Sequence, residues 1–124
     1  ADLLDECGPL LKKAHAFLEK SQVQENSPGE FSTWYRHISK GAWTLSTRDH
    51  GWVVADCSAE GLKAALELSQ LPENIVGKPL PQQRLFACVN YLLSMQNTDG
   101  GYATYDLTRS YNWLGTFNPA AILG

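Results

Sequence analysis

The chain has 124 residues, of which 44% are hydrophobic, and 10 basic against 13 acidic residues give a formal net charge of -3. This length allows one modest hydrophobic core, and the weak, evenly spread charge argues against a nucleic-acid partner. Three widely spaced cysteines without a CxxC pair argue against a disulfide framework or a structural zinc site, and they favour a reducing compartment.

Amphipathic helices are predicted at three places along the chain, each from apolar residues that recur with a period near 3.6. The first covers residues 3–22, although Gly8-Pro9 should break or restart it. The second covers residues 58–70, where Asp56 or Ser58 is placed to cap the free N–H groups at its start. The third covers residues 81–96 and closes in a glycine-containing turn.

The segments between these helices carry little sign of β structure. Residues 31–50 are rich in aromatic side chains but have no clean period, so we expect a structured loop there. The run Trp52-Val53-Val54-Ala55 is apolar enough for burial, and it ends abruptly at Asp56-Cys57. We therefore predict an all-α fold, with residues 1–124 as a single partial domain because both ends look like cuts through a larger structure.

A weak internal repeat marks two of the helix ends. An aromatic residue, a leucine, three further residues and a glutamine occur at 17–22 and again at 91–96. A glycine and an aromatic residue follow the second copy after 3 residues, whereas the first copy is interrupted and its Gly41-Ala42-Trp43 comes after 18 residues. The glutamine amide can bond to free backbone groups at the helix end, while the aromatic ring packs across neighbouring helices. The residues of this predicted clamp are Gln22, Trp43, Gln96, Gly100 and Tyr102.

Together with this repeat, the sequence Asp56-Cys57-Ser58-Ala59-Glu60 resembles the Asp-Cys-Thr-Ala-Glu signature of the oxidosqualene cyclases. The repeat is similar to the Gln-Trp motifs of that family, with Tyr102 where Trp is usual. The flanking stretches WYRHISKGAW, GLKAALELSQ and DGGYATYDLTRSYNWL extend the resemblance to essentially the whole chain, most closely to plant-type members that form cycloartenol. The resemblance implies one part of an (α/α)6 barrel domain, the domain that holds the catalytic acid.

The resemblance also implies a reaction, the isomerisation of (3S)-2,3-oxidosqualene to a cyclic triterpene alcohol without a metal or cofactor. Asp56 would protonate the epoxide, Cys57 would support it together with a second cysteine beyond Gly124, and Glu60 would help to return the proton through water. Such an acid must be protonated and yet stronger than an ordinary buried carboxyl. Burial would keep Asp56 neutral, while a helix N-terminus and hydrogen bonds would favour its anion.

After protonation, aromatic faces would stabilise the moving positive charge. By resemblance Tyr105 faces the later cation centres, His50 influences which cation is deprotonated, and Trp52 forms a wall. Val54 resembles enzymes that make lanosterol, lupeol or beta-amyrin, whereas the rest of the chain favours cycloartenol as the product. Leu45 stands where many members have a phenylalanine, so one cation-facing ring is absent.

Two other interpretations of the motif stay open from the residues alone. Asp56 could be an ordinary helix cap in a non-catalytic helical-repeat scaffold, in which the clamps are stability devices. Cys57 and His50 could be a thiol nucleophile and its base, but they are seven positions apart and the local signatures of such enzymes are missing.

Membrane association is expected only by resemblance. The family sits on one leaflet of the endoplasmic reticulum membrane, and in some cases on lipid droplets, through parts absent from this chain. No apolar stretch approaches the length of about 20 residues that spans a bilayer. Most of the cavity wall, the second cysteine and the second domain are missing, so we expect the 124-residue chain to be inactive by itself.

Overall fold

The computed structural model describes residues 3–34, 36–50, 52–105 and 107. Within these ranges the chain forms four α-helices, which are α1 (Leu3–Ser21), α2 (Ala55–Leu68), α3 (Glu73–Val76) and α4 (Gln82–Ser94). Two short 3-10 helices, Phe31–Trp34 and Arg48–His50, lie in the segment between α1 and α2. The part of the chain that the structure describes has isolated β-bridges but no strand, which agrees with an all-α class.

Helix α1 runs without a break through Gly8 and Pro9, so the expected interruption is wrong. Packing against α3 explains the continuity, because a Cβ atom placed on Gly8 would lie only 2.9 Å from the Cγ2 atom of Ile75. The buried His15 adds a second tie, with Nδ1 2.9 Å from the carbonyl oxygen of Val76. These contacts offset the one backbone hydrogen bond that a proline removes from a helix.

The other helices differ from the predicted ranges mainly at their ends. Helix α2 begins three residues earlier than expected, and neither Asp56 nor Ser58 caps it, because the N-cap position is Val54 and no side-chain cap bond is present there. Helix α4 lies inside the predicted 81–96. The four-residue α3 was not predicted, since it is too short to show a period.

The core consists of two neighbouring groups of buried side chains. The first, which we call the tyrosine cluster, contains Val23, Ala42, Val53, Ala55, Tyr91 and Met95. The second, the tryptophan cluster, contains Trp43, Ala65, Leu80 and Cys88. Both clusters include residues of α2, of α4 and of the segment between α1 and α2, so this core holds the start of α2 in place.

Gly41 sets how closely the segment after α1 approaches α4. Its φ angle is +90°, and a Cβ atom at this position would lie 2.4 Å from the carbonyl carbon of Ala87 and 2.5 Å from the nitrogen of Cys88. A glycine is required here both for the left-handed conformation and for the contact between backbones. Trp43, two residues later, is thereby delivered into the tryptophan cluster.

Candidate active site

The apolar run that precedes Asp56 is fixed by backbone hydrogen bonds to the segment around Trp43 and to Thr104, which lies two residues after the second repeat motif. Val53 forms an antiparallel bridge with Thr44, and the Val54 nitrogen donates to the Trp43 carbonyl oxygen at 3.3 Å. The Ala55 nitrogen donates to the Thr104 carbonyl oxygen at 3.0 Å, which brings Tyr105 beside the start of α2. Val53, Val54 and Ala55 are buried as predicted, and these bonds satisfy the polar groups that burial would otherwise leave without partners.

Ser58 is the buried polar residue that joins the first clamp to α2. Its hydroxyl accepts a hydrogen bond from the Trp43 nitrogen at 2.9 Å and donates to the Val54 carbonyl oxygen at 2.7 Å. A second oxygen, the Trp43 carbonyl, lies at 3.3 Å, but a hydroxyl has one proton and the shorter contact takes it. Ser58 therefore orders the first turn of α2 from inside the core and does not act as a cap.

The three side chains of the predicted acid group do not share one environment. Asp56 is exposed, Cys57 is half-buried against the tryptophan cluster, and Glu60 is exposed with its carboxylate 3.5 Å from the Lys63 ammonium. The expected burial of Asp56 is therefore wrong for this chain. Its expected position at a helix N-terminus is confirmed, because Asp56 lies in the first turn of α2, where free N–H groups favour a negative charge.

Trp52 and Tyr105 form an aromatic pair near the start of α2. Their ring centroids are 6.4 Å apart and the ring planes meet at 74°, an edge-to-face arrangement. The guanidinium carbon of Arg36 lies 4.3 Å from the Trp52 ring centre, which is a cation–π distance. Both residues are about half exposed, Trp52 at 50% and Tyr105 at 48%. The pair is therefore partly accessible to solvent beside the start of α2.

The remaining predicted substrate residues are not all on this face. Val54 is 2% exposed, so within this chain it packs into the interior and does not face outward with Asp56. Leu45 is 68% exposed, on the segment that leads to the Arg48–His50 helix. For His50 the structure describes the backbone alone, so its predicted influence on deprotonation stays a prediction.

The first predicted clamp is present and buried. Gln22, 1% exposed, donates from Nε2 to the carbonyl oxygens of Gly41 at 2.7 Å and Arg84 at 3.1 Å, and its Oε1 accepts from Arg84 Nε at 2.7 Å. The Trp43 indole N–H donates to the Leu18 carbonyl oxygen at 3.1 Å, near the end of α1. The Leu18 carbonyl oxygen also accepts from the Gln22 backbone nitrogen at 3.2 Å, so the indole adds a second tie to the end of α1.

The second clamp is present but open to solvent. Gln96 is paired with Tyr102 by an isolated bridge, and its Nε2 donates to the Gly100 carbonyl oxygen at 3.3 Å. Gln96 is exposed and Tyr102 is 51% exposed. This copy closes a turn after α4 and leaves its aromatic face uncovered within the described part of the chain.

Sequence reasoning missed three residues that the structure places at these contacts. Arg84 lies between the ends of α1 and α4, where it bonds to Gln22 and pairs with the Glu19 carboxylate at 3.4 Å. Burial lowers the pKa of the Arg84 guanidinium, and the charge of Glu19 opposes that shift. Cys88 donates to the Ser58 carbonyl oxygen at 3.4 Å, and burial raises its pKa to about 12. Tyr91 is fully buried in the tyrosine cluster, together with Val53 and Ala55. For Cys88 and Tyr91 the sequence offers one signal, their place on the apolar side of the predicted third helix. That signal does not distinguish a packing residue from a chemical one.

The described residues include open grooves but no group of metal ligands and no membrane-spanning helix. A groove of about 440 Å³ is lined by Asn26, Ile38, Lys40, Gln83, Phe86, Ala87 and Asn90, on a side that does not include Asp56. Among the described residues, no three histidine, cysteine, aspartate or glutamate side chains are grouped so that they could hold a metal ion. In the same residues no helix is long and apolar enough to cross a membrane.

Comparison with known proteins finds similar segments in several triterpene-forming enzymes, by their names. The chain is 48% identical over 117 residues to lanosterol synthase of Mus musculus, 46% over 106 residues to alpha-onocerin synthase of Lycopodium clavatum and 45% over 112 residues to cycloartenol synthase of Dictyostelium discoideum. These matches cover 94%, 86% and 90% of the chain but only 16%, 14% and 15% of the respective relatives. No protein-family model matches the chain.

Proposed function

This chain belongs to the oxidosqualene cyclases, and from that premise we propose that it is the segment that supplies the initiating acid of such an enzyme. The proposed reaction of the complete protein is the isomerisation of (3S)-2,3-oxidosqualene to a cyclic triterpene alcohol. The observation that carries the proposal is Asp56 in the first turn of α2, directly after a run whose backbone bonds to Trp43 and Thr104, with the Trp52–Tyr105 pair near the start of the same helix.

The proposed first step is a proton transfer from the Asp56 carboxyl to the epoxide oxygen. The epoxide C–O bond at the more substituted carbon then breaks, which leaves the positive charge on that carbon. Neighbouring double bonds of the substrate donate electrons to the cation in sequence. Loss of a proton from the final cation completes the isomerisation, and Glu60 is proposed to help return a proton to Asp56 through water. No atom is gained or lost by the substrate, so no metal, oxidant or cofactor enters the proposal.

Two features of the first turn of α2 support Asp56 in this role. The free N–H groups of the turn stabilise the carboxylate that remains after the proton has left, which strengthens the acid. The adjacent Trp52 and Tyr105 rings offer their faces to positive charge that develops nearby, a contact worth about 0.5 to 2 kcal/mol per ring. In the complete enzyme we propose that the rest of the barrel covers this face and excludes water from it.

Replacement of the acid in the complete cyclase that carries this segment tests the proposal. We expect Asp56→Asn to lower the rate of oxidosqualene cyclisation by at least about a thousandfold, because general acid catalysis typically contributes a hundredfold to ten-thousandfold and nothing else here initiates the reaction. The matched control is Asp49→Asn, an exposed aspartate on the Arg48–His50 helix, which should leave the rate near that of the unmodified enzyme.

The alternative of a non-catalytic helical scaffold makes the opposite prediction for the same variant. If Asp56 serves only the fold, Asp56→Asn should keep substantial product formation in an enzyme that still folds. One part of the scaffold alternative, Asp56 as a cap, lacks support, since the N-cap of α2 is Val54 and no side-chain capping bond is present there. Thermal unfolding of both variants separates loss of chemistry from loss of fold.

The product that we propose is cycloartenol, with lanosterol, lupeol and beta-amyrin as the alternatives that Val54 favours. Val54 is buried against the backbone that carries Asp56, so a larger side chain there would press on the position of the acid. Feeding (3S)-2,3-oxidosqualene to the complete cyclase and identifying the alcohol by gas chromatography and mass spectrometry distinguishes these products. We also propose, from the apolar nature of this substrate, that the complete enzyme is bound to one leaflet of the endoplasmic reticulum membrane.

A further inference from the structure

The hydroxyl of Tyr91 is a buried donor without a partner. Tyr91 is 0% exposed on α4, and its hydroxyl oxygen has no hydrogen-bond partner among the residues that the structure describes. Buried hydroxyls are normally bonded, because an unbonded one loses its hydration and gains nothing in return. A residue that served packing alone would be better as phenylalanine, so the phenol requires an explanation.

The position of Tyr91 relates it to the start of α2. Its ring belongs to the tyrosine cluster together with Val53 and Ala55, the residues on either side of Val54 and immediately before Asp56. Helices α2 and α4 pack against each other, and one turn before Tyr91 the Cys88 thiol bonds to the Ser58 carbonyl oxygen at 3.4 Å. Tyr91 is therefore packed under the residues that carry the proposed acid.

The acid–base state of Tyr91 makes it a donor over the working range of pH. Burial raises the pKa of the Tyr91 phenol most, and repulsion from the ionised forms of Cys88, Asp56 and Cys57 acts in the same direction. These three are the titratable groups that act on the phenol, Cys88 from its own helix and the other two from the first turn of α2. The phenol thus keeps its proton, and Asp56 is close enough to influence it.

We propose that the Tyr91 hydroxyl is a positioning residue for the acid, donating a hydrogen bond to the Asp56 carboxyl directly or through one water molecule. The proposal rests on the proposed function of Asp56. The Asp56 side chain is exposed and forms no capping hydrogen bond at the start of α2 in the described structure. Rotation about its two side-chain torsions can turn the carboxyl toward α4. Cys57, the neighbour of Asp56, is half-buried on the same turn.

A donated hydrogen bond has a defined effect on the acid. It stabilises the carboxylate more than the neutral carboxyl, which lowers the pKa of the acid and makes proton transfer to the epoxide easier. Removing the donor should therefore weaken the acid and, at the same time, let it stay protonated to higher pH. A residue that acts only through packing would not produce the second effect.

The test uses Tyr91→Phe in the complete cyclase, with Tyr102→Phe as the matched control on an exposed tyrosine. We expect Tyr91→Phe to lower kcat/KM about threefold to tenfold and to move the alkaline limb of its pH profile up by about half a unit to one unit. Oxidosqualene has no titratable group, so this limb belongs to the enzyme. Tyr102→Phe should leave both quantities unchanged, and thermal unfolding should show that each variant is folded.

The outcomes separate the inference from the proposed function. If Tyr91→Phe is slower with an unmoved alkaline limb, or is indistinguishable from the unmodified enzyme, Tyr91 does not position the acid and the inference is overturned. In that case an inactive Asp56→Asn variant still leaves the proposed function standing. If Asp56→Asn itself retains activity, the proposed function fails first. A slower Tyr91→Phe with the limb moved up supports the inference.

Discussion

Cys88 shows how a single buried thiol ties α4 to α2 and sets a pH limit on the fold. Its side chain is 0% exposed in the tryptophan cluster, and it donates to the Ser58 carbonyl oxygen at 3.4 Å. Burial raises its pKa from 9.0 to about 12, because the thiolate would lose its hydration in an apolar surrounding. Reactive cysteines have lowered pKa values, so this thiol belongs to the structure.

The raised pKa predicts a loss of stability in alkaline solution. Because the folded pKa lies above the unfolded value, the contribution is fully present below pH 9 and is lost progressively as the pH rises toward about 12. Between pH 9 and 10 the unfolded chain releases this proton while the folded chain keeps it, which lowers the free energy of unfolding by about 1 kcal/mol. Tyr91, whose pKa is also raised, adds to the loss at higher pH.

Urea unfolding of the chain at pH 8, 9 and 10 measures this effect. Cys88→Ala should have a lower free energy of unfolding at every pH, since it leaves a cavity, but a shallower decline between pH 9 and 10. Cys7→Ala, at a half-buried position on α1, is the control and should decline as the unmodified chain does. Equal slopes for all three chains would show that the Cys88 thiol does not cause the decline.

At the level of elements, the sequence pattern predicted most helices and failed where contacts across the fold take over. Three helices follow from their period, but α3 is too short to show one. The sequence favours a side-chain cap at the start of α2, whereas the structure has backbone bonds from Val54 to Trp43 and from Ala55 to Thr104. No periodicity reports such long-range bonds, and for the same reason the sequence does not show the role that we propose for Tyr91.

The clamps themselves were predictable in kind but not in strength. Both copies have the same sequence pattern, yet Gln22 makes three hydrogen bonds at 1% exposure and the exposed Gln96 makes one side-chain bond at 3.3 Å. The difference arises from Arg84, which meets Gln22 from α4 and also bonds to the Glu19 carbonyl oxygen. The pattern alone cannot reveal this partner, which is 62 positions away.

Truncating each glutamine to alanine should show this inequality. Gln22→Ala removes the hydrogen-bond partner of the Gly41 carbonyl oxygen, the Arg84 carbonyl oxygen and the Arg84 guanidinium in a buried site. We therefore expect the free energy of unfolding to fall by about 3 kcal/mol. Gln96→Ala removes one exposed bond and should cost less than about 0.5 kcal/mol. The measurement is urea unfolding of the two variants under one condition, and similar costs would contradict the assignment of Gln22 as the structural clamp.

For the molecule as a whole, the arrangement around Asp56 is open to solvent. The chain contains the proposed acid, the helix that carries it and two aromatic rings, but Asp56 is exposed and Trp52 and Tyr105 are about half exposed. Sequence resemblance predicted the buried acid of a complete barrel, and burial of that kind depends on walls that a segment of about 15% of a relative's length does not contain. The local geometry is thus set within the chain, whereas the exclusion of water is not.

This division predicts that the 124-residue chain forms no product from (3S)-2,3-oxidosqualene. Water has free access to the Asp56 face, and a carbocation formed there would be captured by water before successive rings could close. Incubation of the purified chain with detergent-dispersed substrate, followed by gas chromatography and mass spectrometry, should match a protein-free blank, while the complete cyclase gives a cyclic triterpene alcohol. A cyclic alcohol formed by the chain and lost with Asp56→Asn would contradict this expectation, because it would mean that Asp56, Trp52 and Tyr105 suffice for cyclisation without an enclosing barrel.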